Sequence, residues 1–420
     1  MENKQAGRWV YSMITMERPI TIADELERTL ARPLSALSEP LQMGLVTDVL
    51  AFAALRREWG ELLDRSRASI FNSWEWLYPW YRRLGADRQL YILTARDEAG
   101  SLVGLMPLCV ESRRAMGRKL RRLTFLGETH VCGDYMDVVA LPERHEAVVE
   151  AFAGHLRRSQ GMWDVLDLAD IDSQSPTITL LQKNFSAPEY AAELRPGFVC
   201  PIMTLRPGET FEDFLRGSSR RENYRRRKKQ LEKQPGFSVE CIEDPAELAR
   251  PFSEFLRLHA MRWSGEGGSD GITGHEVEAF HRDATTLLAE RGKLRLFVMS
   301  VEGKAVASLY ALRQGDTFSY YQAGRDPEWQ NMSVGLVMLV ETFKRAIEEG
   351  AATYDFLRGE EPYKADWNNG QRTIVCLRIY PRGGRGSNLG RQERLVASTR
   401  GLVKRMLPAS MLERARRLKK

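Results

Sequence analysis

The segment from Ser319 to Tyr363 constrains the fold more than any other part of this chain. Ser319–Arg325 places aromatic side chains on a short run with the half-buried pattern of a strand. Asp326–Met332, with Pro327 near its start, interrupts that strand. From Ser333 onward, Leu336, Leu339, Val340, Phe343 and Ile347 recur on one helical face, and Gly350 closes the helix. Thr353–Leu357 reads as another short strand and runs into the charged loop Arg358–Lys364. A helix that starts directly after a strand offers N–H groups without intrahelical acceptors, and its dipole adds positive potential. Gly335 would let a pyrophosphate approach that backbone closely. The order of elements is that of a fold holding a phosphorylated ligand against a reactive site.

The spacing Gln330-x-x-Ser333-x-Gly335 resembles the pyrophosphate loop of the GNAT acyltransferase superfamily, with Ser in place of the first Gly. Tyr354–Lys364 is similar to the signature of the GNAT-like acyltransferases associated with bacterial cellulose and exopolysaccharide synthesis. The resemblance covers about residues 45–380. It implies an α/β (α+β) protein of two tandem GNAT-like acyl-CoA N-acyltransferase domains, with mixed sheets flanked by helices. Fem-type aminoacyl transferases share that double architecture.

At 420 residues the chain exceeds one typical core. Its 43% hydrophobic and 28% charged content is that of a soluble globular protein. No apolar run reaches membrane-spanning length, and residues 1–16 lack a signal-peptide pattern, so a cytoplasmic location is expected. Five cysteines without CxxC spacing and six scattered histidines give no metal-ligand pattern, and no metal is expected. The net charge of +6 is concentrated locally: residues 381–420 hold twelve Lys/Arg against two Glu, and residues 218–233 hold eight against two.

Four regions are expected. Residues 1–44 form a loosely ordered arm, 45–200 a first GNAT-like domain, 201–380 a second, and 381–420 a basic amphipathic tail. The halves repeat one order of elements. A hairpin at 90–110 corresponds to one at 294–313, a helix at 142–158 to the one from Ser333, and a strand at 163–168 to the one at 353–357. Tyr135–Leu141 is expected to be a further strand, and Trp74, Leu77, Tyr78, Tyr81 and Leu84 share a helix face. Pro142 lies at the comparable helix start of the first half and removes an N–H donor there. The acyl donor is therefore assigned to the second half. The first half is read as a structural or substrate-facing partner.

Acyl transfer from a thioester needs an anchored donor, a polarised carbonyl, an acceptor relieved of its proton, and a proton for the departing thiolate. Gln330, Ser333, Val334 and Gly335 are the expected pyrophosphate loop. The resemblance maps the donor's pantetheine and carbonyl onto the backbone of Tyr321–Gly324, hence Gln322, Ala323 and Gly324. Asp355 and Glu360 are the candidate bases, and Asp355 is equally readable as an ion-pair partner of Arg358 or Lys364. Tyr363 stands where many GNAT enzymes place a thiolate-protonating tyrosine; its bland alternative is packing beside Pro362. Arg358 and Lys364 are candidate clamps for an anionic acceptor, and Glu266 is a candidate in a Gly-rich loop. No nucleophile motif is visible, which favours direct attack over an acyl-enzyme.

The expected co-substrate is acetyl-CoA or another acyl-CoA, and the acceptor is a small molecule or glycan. Arg220–Lys229 reads as a polar helix suited to solvent, an anionic glycan or a donor phosphate, and nucleic acid is not the expected partner. Residues 381–420 suit an anionic inner-membrane surface or a docking partner equally. Two rival readings stand beside the main one: an aminoacyl-tRNA-dependent Fem-type transferase and a non-catalytic scaffold in polysaccharide synthesis.

Overall fold

The computed structural model describes residues 40–387 apart from 116–117, 129–130, 132, 266–271 and 360. Residues 1–39 of the expected arm, residues 388–420 of the expected tail, Glu266 and Glu360 lie outside the described residues.

In chain order the strands are β1 (Gln42–Val46), β2 (Arg88–Arg96), β3 (Leu102–Ala115), β4 (Arg118–Phe125), β5 (Val139–Ala140), β6 (Val165–Asp172) and β7 (Tyr190–Thr204). The second half continues with β8 (Ser238–Ile242), β9 (Leu294–Val301), β10 (Lys304–Gln314), β11 (Thr317–Arg325), β12 (Thr353–Asp355) and β13 (Gly370–Pro381). Six helices bear on the site: α1 (Trp74–Leu84), α2 (His145–Arg158), α3 (Arg221–Leu231), α4 (Ala249–Gly265), α5 (His275–Glu290) and α6 (Val334–Glu348).

All the strands join one mixed sheet in the order β1-β2-β3-β4-β6-β13-β7-β12-β11-β10-β9-β8, with β5 added on β3. Each half runs through antiparallel strands, crosses over by a helix, and lays the next strand parallel to the last. In the first half α2 links the parallel pair β4 and β6; in the second, α6 links β11 and β12. The halves then exchange strands. β13 pairs with β6 of the first half, β7 pairs with β12 of the second, and β7 and β13 pair with each other. The boundary at 200/201 falls inside β7, the one at 380/381 inside β13, and β1 starts at Gln42, before the 44/45 boundary.

Side chains alternate across a strand, so each face of the second half has its own core. On one face Leu309, Phe318 and Tyr354 pack under Val337, Val340 and Phe343 of α6. On the other, Leu296, Tyr310 and Tyr321 pack against Phe252, Phe255 and Phe280 of α4 and α5. The first half adds Phe71 and Trp76 to that second face, with ring centroids 5.9 and 5.2 Å from Tyr321.

Three local expectations change. Helix α1 buries Trp76 and Trp80 as well as Trp74 and Leu77, because it lies between the first half and α5. The strand expected at Tyr135–Leu141 shrinks to Val139–Ala140. Tyr135 adopts φ +60, and the backbone around it is tied to Asn72, whose Nδ2 donates to Tyr135 O while its Oδ1 accepts from Asp137 N. Strand β4 was not expected at all: its Arg-rich sequence hides the period, and Arg122 is neutralised inside the sheet by Glu111, Glu128 and Asp167.

Candidate active site

The site begins where a parallel ladder ends. β11 pairs with β12 only over Thr317–Ser319 and Thr353–Asp355, and then continues to Arg325 against β10 alone. A register shift in the β10 pairing, from Ala311↔Tyr320 to Tyr310↔Gln322, leaves Tyr321 as a bulged extra residue. A bulge bends its strand, which gives the physical reason for the separation from β12.

A cavity of about 380 Å³ opens between this separated strand and the start of α6. Ala323, Gly324, Gln330, Ser333, Val334, Gly335 and Tyr363 all line it. Val334 and Gly335 open the helix, so their N–H groups have no intrahelical acceptors. A Cβ placed on Gly335 would come no closer than 3.8 Å to Arg325, so internal packing does not require glycine there. At Gly324 a Cβ would lie 2.3 Å from His259 N, so that glycine is needed for the contact of β11 with α4. Ser333 is the helix N-cap and sits at φ +55, ψ 40, a conformation glycine adopts at little cost. The Gly that Ser333 replaces in the resembling loop suits that conformation.

Three guanidinium groups, from Arg220, Arg262 and Arg325, line the same cavity. Arg220 pairs with Asp366 at 2.5 Å, and Arg262 Nη1 donates to Ala323 O at 3.3 Å. Helix α3 is docked beside the loop: Arg227 Nη1 donates to Asn331 O at 2.8 Å, and Lys228 Nζ lies 2.7 Å from Glu341. The charge run at 218–233 therefore adds positive potential next to the helix start. Tyr363 lies beside Tyr320, with ring centroids 6.3 Å apart. Burial, and then Tyr320, push its hydroxyl well above the ordinary tyrosine range, so it keeps its proton at neutral pH.

Asp355 is on the opposite face of the sheet. It is 0% exposed, and its Oδ1 accepts from Leu357 N at 2.8 Å. Burial pushes its carboxyl up to about 7, with the charge of Asp134 adding to the rise. With Ser319, Tyr135 and Arg372 it lines a second cavity, of about 510 Å³.

The other expected residues divide. Gln322 is turned toward His259 rather than into the donor cavity. Arg358 binds the first half, with its N donating to Asp134 Oδ2 at 2.9 Å and its Nη2 2.8 Å from Asp170. Asp355 is thus paired with neither Arg358 nor Lys364. Lys364 is buried, donates to the carbonyls of Arg358 and Gly359 at 3.0 and 3.2 Å and lies 2.8 Å from Glu361, so its ammonium braces the loop. Arg220, Arg262, Arg325 and Tyr135 were not expected at the site. The basic run marked Arg220 as suited to solvent, an anionic glycan or a donor phosphate without naming it as a site residue, and no local signal marked Tyr135.

The model of the Acetyltransferase (GNAT) domain matches residues 218–365. The chain carries a GNAT acyltransferase domain. That span contains β11, the loop, α6, Asp355 and Tyr363. Among solved structures, the chain is similar to that of FemX at 11% identity, covering 79% of this chain and 96% of that one with a TM-score of 0.53. Weaker likenesses are to L-PGS from Bacillus licheniformis and to a tandem GNAT protein from the clavulanic acid biosynthesis pathway. The first has 14% identity, 80% and 93% coverage and a TM-score of 0.48; the second has 11%, 81% and 98%, and 0.40. No curated protein matches the sequence. The FemX likeness is one of fold: two halves of the same element order in one mixed sheet. Among the described residues no helix is long and apolar enough to cross a membrane, and no group of His, Cys, Asp or Glu is placed to hold a metal.

Proposed function

We propose that this acyltransferase takes its acyl group, acetyl in the simplest case, from acyl-CoA bound in the cavity between β11 and α6. The observation that carries this reading is the coincidence of three features: the break in the β11–β12 ladder, the open helix start at Val334–Gly335, and three arginines around it. Phosphate groups of the donor would meet the helix start and the guanidinium groups. The acyl arm would run along the edge of β11 that lacks a strand partner beyond Ser319, toward Asp355. Backbone N–H groups on that edge are suited to polarising the thioester carbonyl. Asp355, ionised above about pH 7, takes a proton from the acceptor. Tyr363, held protonated, gives a proton to the departing thiolate. Attack is direct.

The acceptor is an amine or hydroxyl of a sugar, polysaccharide precursor or related small molecule, and the enzyme works in the cytoplasm, peripheral to the inner membrane. The exopolysaccharide signature in Tyr354–Lys364 supports that part of the reading. Isothermal titration with acetyl-CoA tests the donor site. The wild type is expected to bind, and Gly335→Trp, which fills the cavity, is expected to lose at least about a hundredfold in affinity, or about 2.7 kcal/mol. Equal binding by both would remove the donor from this cavity. No binding by either would turn attention to longer acyl donors and aminoacyl-tRNA.

A further inference from the structure

We infer that one end of the first half, where β3 ends, β4 begins and the chain passes on to residues 388–420, docks on an anionic phospholipid bilayer. This rests on the peripheral location proposed above and adds which part of the folded body meets the lipid.

Strand register defines the end. Val110, Leu123, Leu166, Ile379 and Ala192 form one row across β3, β4, β6, β13 and β7. Beyond that row lie the tips of these strands, the C-terminal end of α2 with its turn into β6, and the turn into β7. Hydrogen bonds tie these pieces together. Arg121 N donates to Asp164 at 2.8 Å, Arg157 Nη1 to Asn184 O at 3.4 Å, and Arg382 N to Glu189 O at 2.9 Å. A Cβ on Gly386 would lie 2.2 Å from Asp164 O, so the last described residues pack on this same end.

The end is strongly basic. Residues 112–114, 119–121, 157–164, 183–190 and 381–387 hold nine Lys/Arg against two acidic residues, Asp164 and Glu189. Three of the nine have carboxylate partners: Arg113 with Glu111, Arg121 with Asp164, and Lys183 with Glu150. The neighbouring Asp87 is taken by Arg88. Among the described residues no carboxylate pairs with Arg114, Lys119, Arg157, Arg158, Arg382 or Arg385, and all six are exposed. Residues 388–420, which follow directly from Ser387, add ten Lys/Arg against two Glu. The whole chain carries only +6, so the excess is local. Arg114 and Lys119 also stand directly opposite each other on β3 and β4. Like charges in that position destabilise a strand pair, and an anionic surface offsets the repulsion.

Apolar side chains separate a bilayer from nucleic acid as the partner. Met162, at the turn into β6, is 58% exposed, and Ala187 and Pro188 are exposed in the turn into β7. The aromatic residues of these segments, Trp163, Phe185 and Tyr190, are buried, so none offers a ring on which a base could stack. In residues 388–420, Leu402, Val403, Met406 and Leu407 are set among Arg400, Lys404 and Arg405. A bilayer accepts both kinds of group: lipid phosphates attract the basic side chains, and the acyl boundary takes up the apolar ones. Nucleic acid would use the charges alone.

The test mixes the full-length protein with phosphatidylcholine vesicles, with and without phosphatidylglycerol, and measures the bound fraction by sedimentation. The wild type is expected to bind only the anionic vesicles and to be released by added salt, which screens the attraction. Arg114→Glu with Lys119→Glu keeps the like-charge pair but reverses its sign, and should lower the partition coefficient roughly tenfold or more. The matched pair Arg65→Glu with Arg206→Glu carries the same change in net charge. Arg206 follows the opposite end of β7, and Arg65 adjoins Asp64, which binds Lys293 of the second half. That pair should alter binding by less than about threefold, because screening confines the effect to nearby charges. If circular dichroism shows that the first pair does not fold, Arg114→Gln with Lys119→Gln replaces it, with a loss of about threefold expected. Met162→Asp should weaken binding severalfold, and Met162→Leu should not. A wild type that stays off anionic vesicles overturns the peripheral location and this inference with it. Binding that the two charge-reversed pairs reduce alike, or that the Arg114 and Lys119 changes leave intact, overturns the inference alone. Single-stranded RNA that displaces the vesicles through Arg114 and Lys119, with Met162→Asp without effect, would assign the surface to nucleic acid and overturn it too.

Discussion

The two halves present the same frame with opposite contents. Each has a parallel strand pair joined by a helix, and each pair is short: Arg122–Leu123 with Val165–Leu166 in the first half, Thr317–Ser319 with Thr353–Asp355 in the second. In the first half the chain's own charges fill the region beside the pair. Arg122 is held by Glu111, Glu128 and Asp167, and Asp167 also binds Arg378 from β13. In the second half the guanidinium groups surround a cavity. Both helices follow a 3-10 turn opened by proline, Pro142–Arg144 and Pro327–Met332, so Pro142 does not set the first half apart. The starts differ at the cap, where Arg144 is right-handed and Ser333 is left-handed at φ +55. One copy uses its charges to lock the strand exchange, and the other gathers them around a cavity. A repeated fold can thus divide binding and scaffolding between its copies without changing topology.

The comparison breaks most clearly at the two buried aspartates. Asp355→Asn is expected to lower kcat by roughly 10²–10⁴, the usual range for loss of a general base. In the wild type, kcat/KM should rise with pH through about 7 as Asp355 ionises among Tyr135, Asp134 and Arg372; in the variant that inflection should vanish. The stability effect has the opposite sign. A carboxyl raised in the folded state contributes stability that is present below its unfolded value and is lost as pH rises toward 7. At pH 8 the Asn variant should therefore unfold at higher urea than the wild type. A kcat within threefold of wild type would remove Asp355 from the chemistry.

Asp167→Asn, in the first half, should do the reverse. Burial acts to raise this carboxyl, but Arg378 and Arg122 outweigh it and hold it well below the usual carboxylate range. Its contribution is present above the unfolded value and lost as pH falls through the folded one. Leaving two buried guanidinium groups short of charge should cost about 3–5 kcal/mol in urea unfolding near pH 7, with acetyl-CoA affinity unchanged. Loss of donor affinity without loss of stability would mean that the first half is no mere lock. Tyr363→Phe should be milder, on the order of tenfold in kcat with little change in donor affinity, because it removes only the proton for the thiolate.

Much of the frame was legible because the second half follows local rules. The helix from Ser333, the strand before it and the loop between them are each marked by neighbours in sequence, and they arrive around one cavity. The strand exchange was not legible. β7 and β13 pair with strands far away in sequence, and nothing in 190–204 or 370–381 shows which half will receive them. For the same reason Arg358 and Lys364 looked like ligand clamps. Their partners are Asp134 and Asp170 in the other half for the first, and backbone carbonyls and Glu361 for the second, and a charge run does not show whether its charges are already paired. Tyr135 was hidden by its conformation: at φ +60 it leaves the strand pattern that its sequence suggests and turns toward Asp355.

Ser333 offers the smallest and sharpest test of the second half. It holds φ +55 without a side-chain capping bond, a conformation that costs a non-glycine residue about 1–2 kcal/mol. Glycine removes that strain and loses roughly 0.5–1 kcal/mol through its freer unfolded chain. Ser333→Gly should then stabilise by about 0.5 kcal/mol, a rise of 1–2 °C on the order expected for large domains. Both outcomes inform the comparison. A higher melting temperature with unchanged acetyl-CoA affinity means that the backbone conformation, and not the hydroxyl, holds the phosphate loop open. Unchanged melting with weaker affinity means that the hydroxyl itself reaches the donor, and the strain at Ser333 is then part of what the second half keeps available and the first does not.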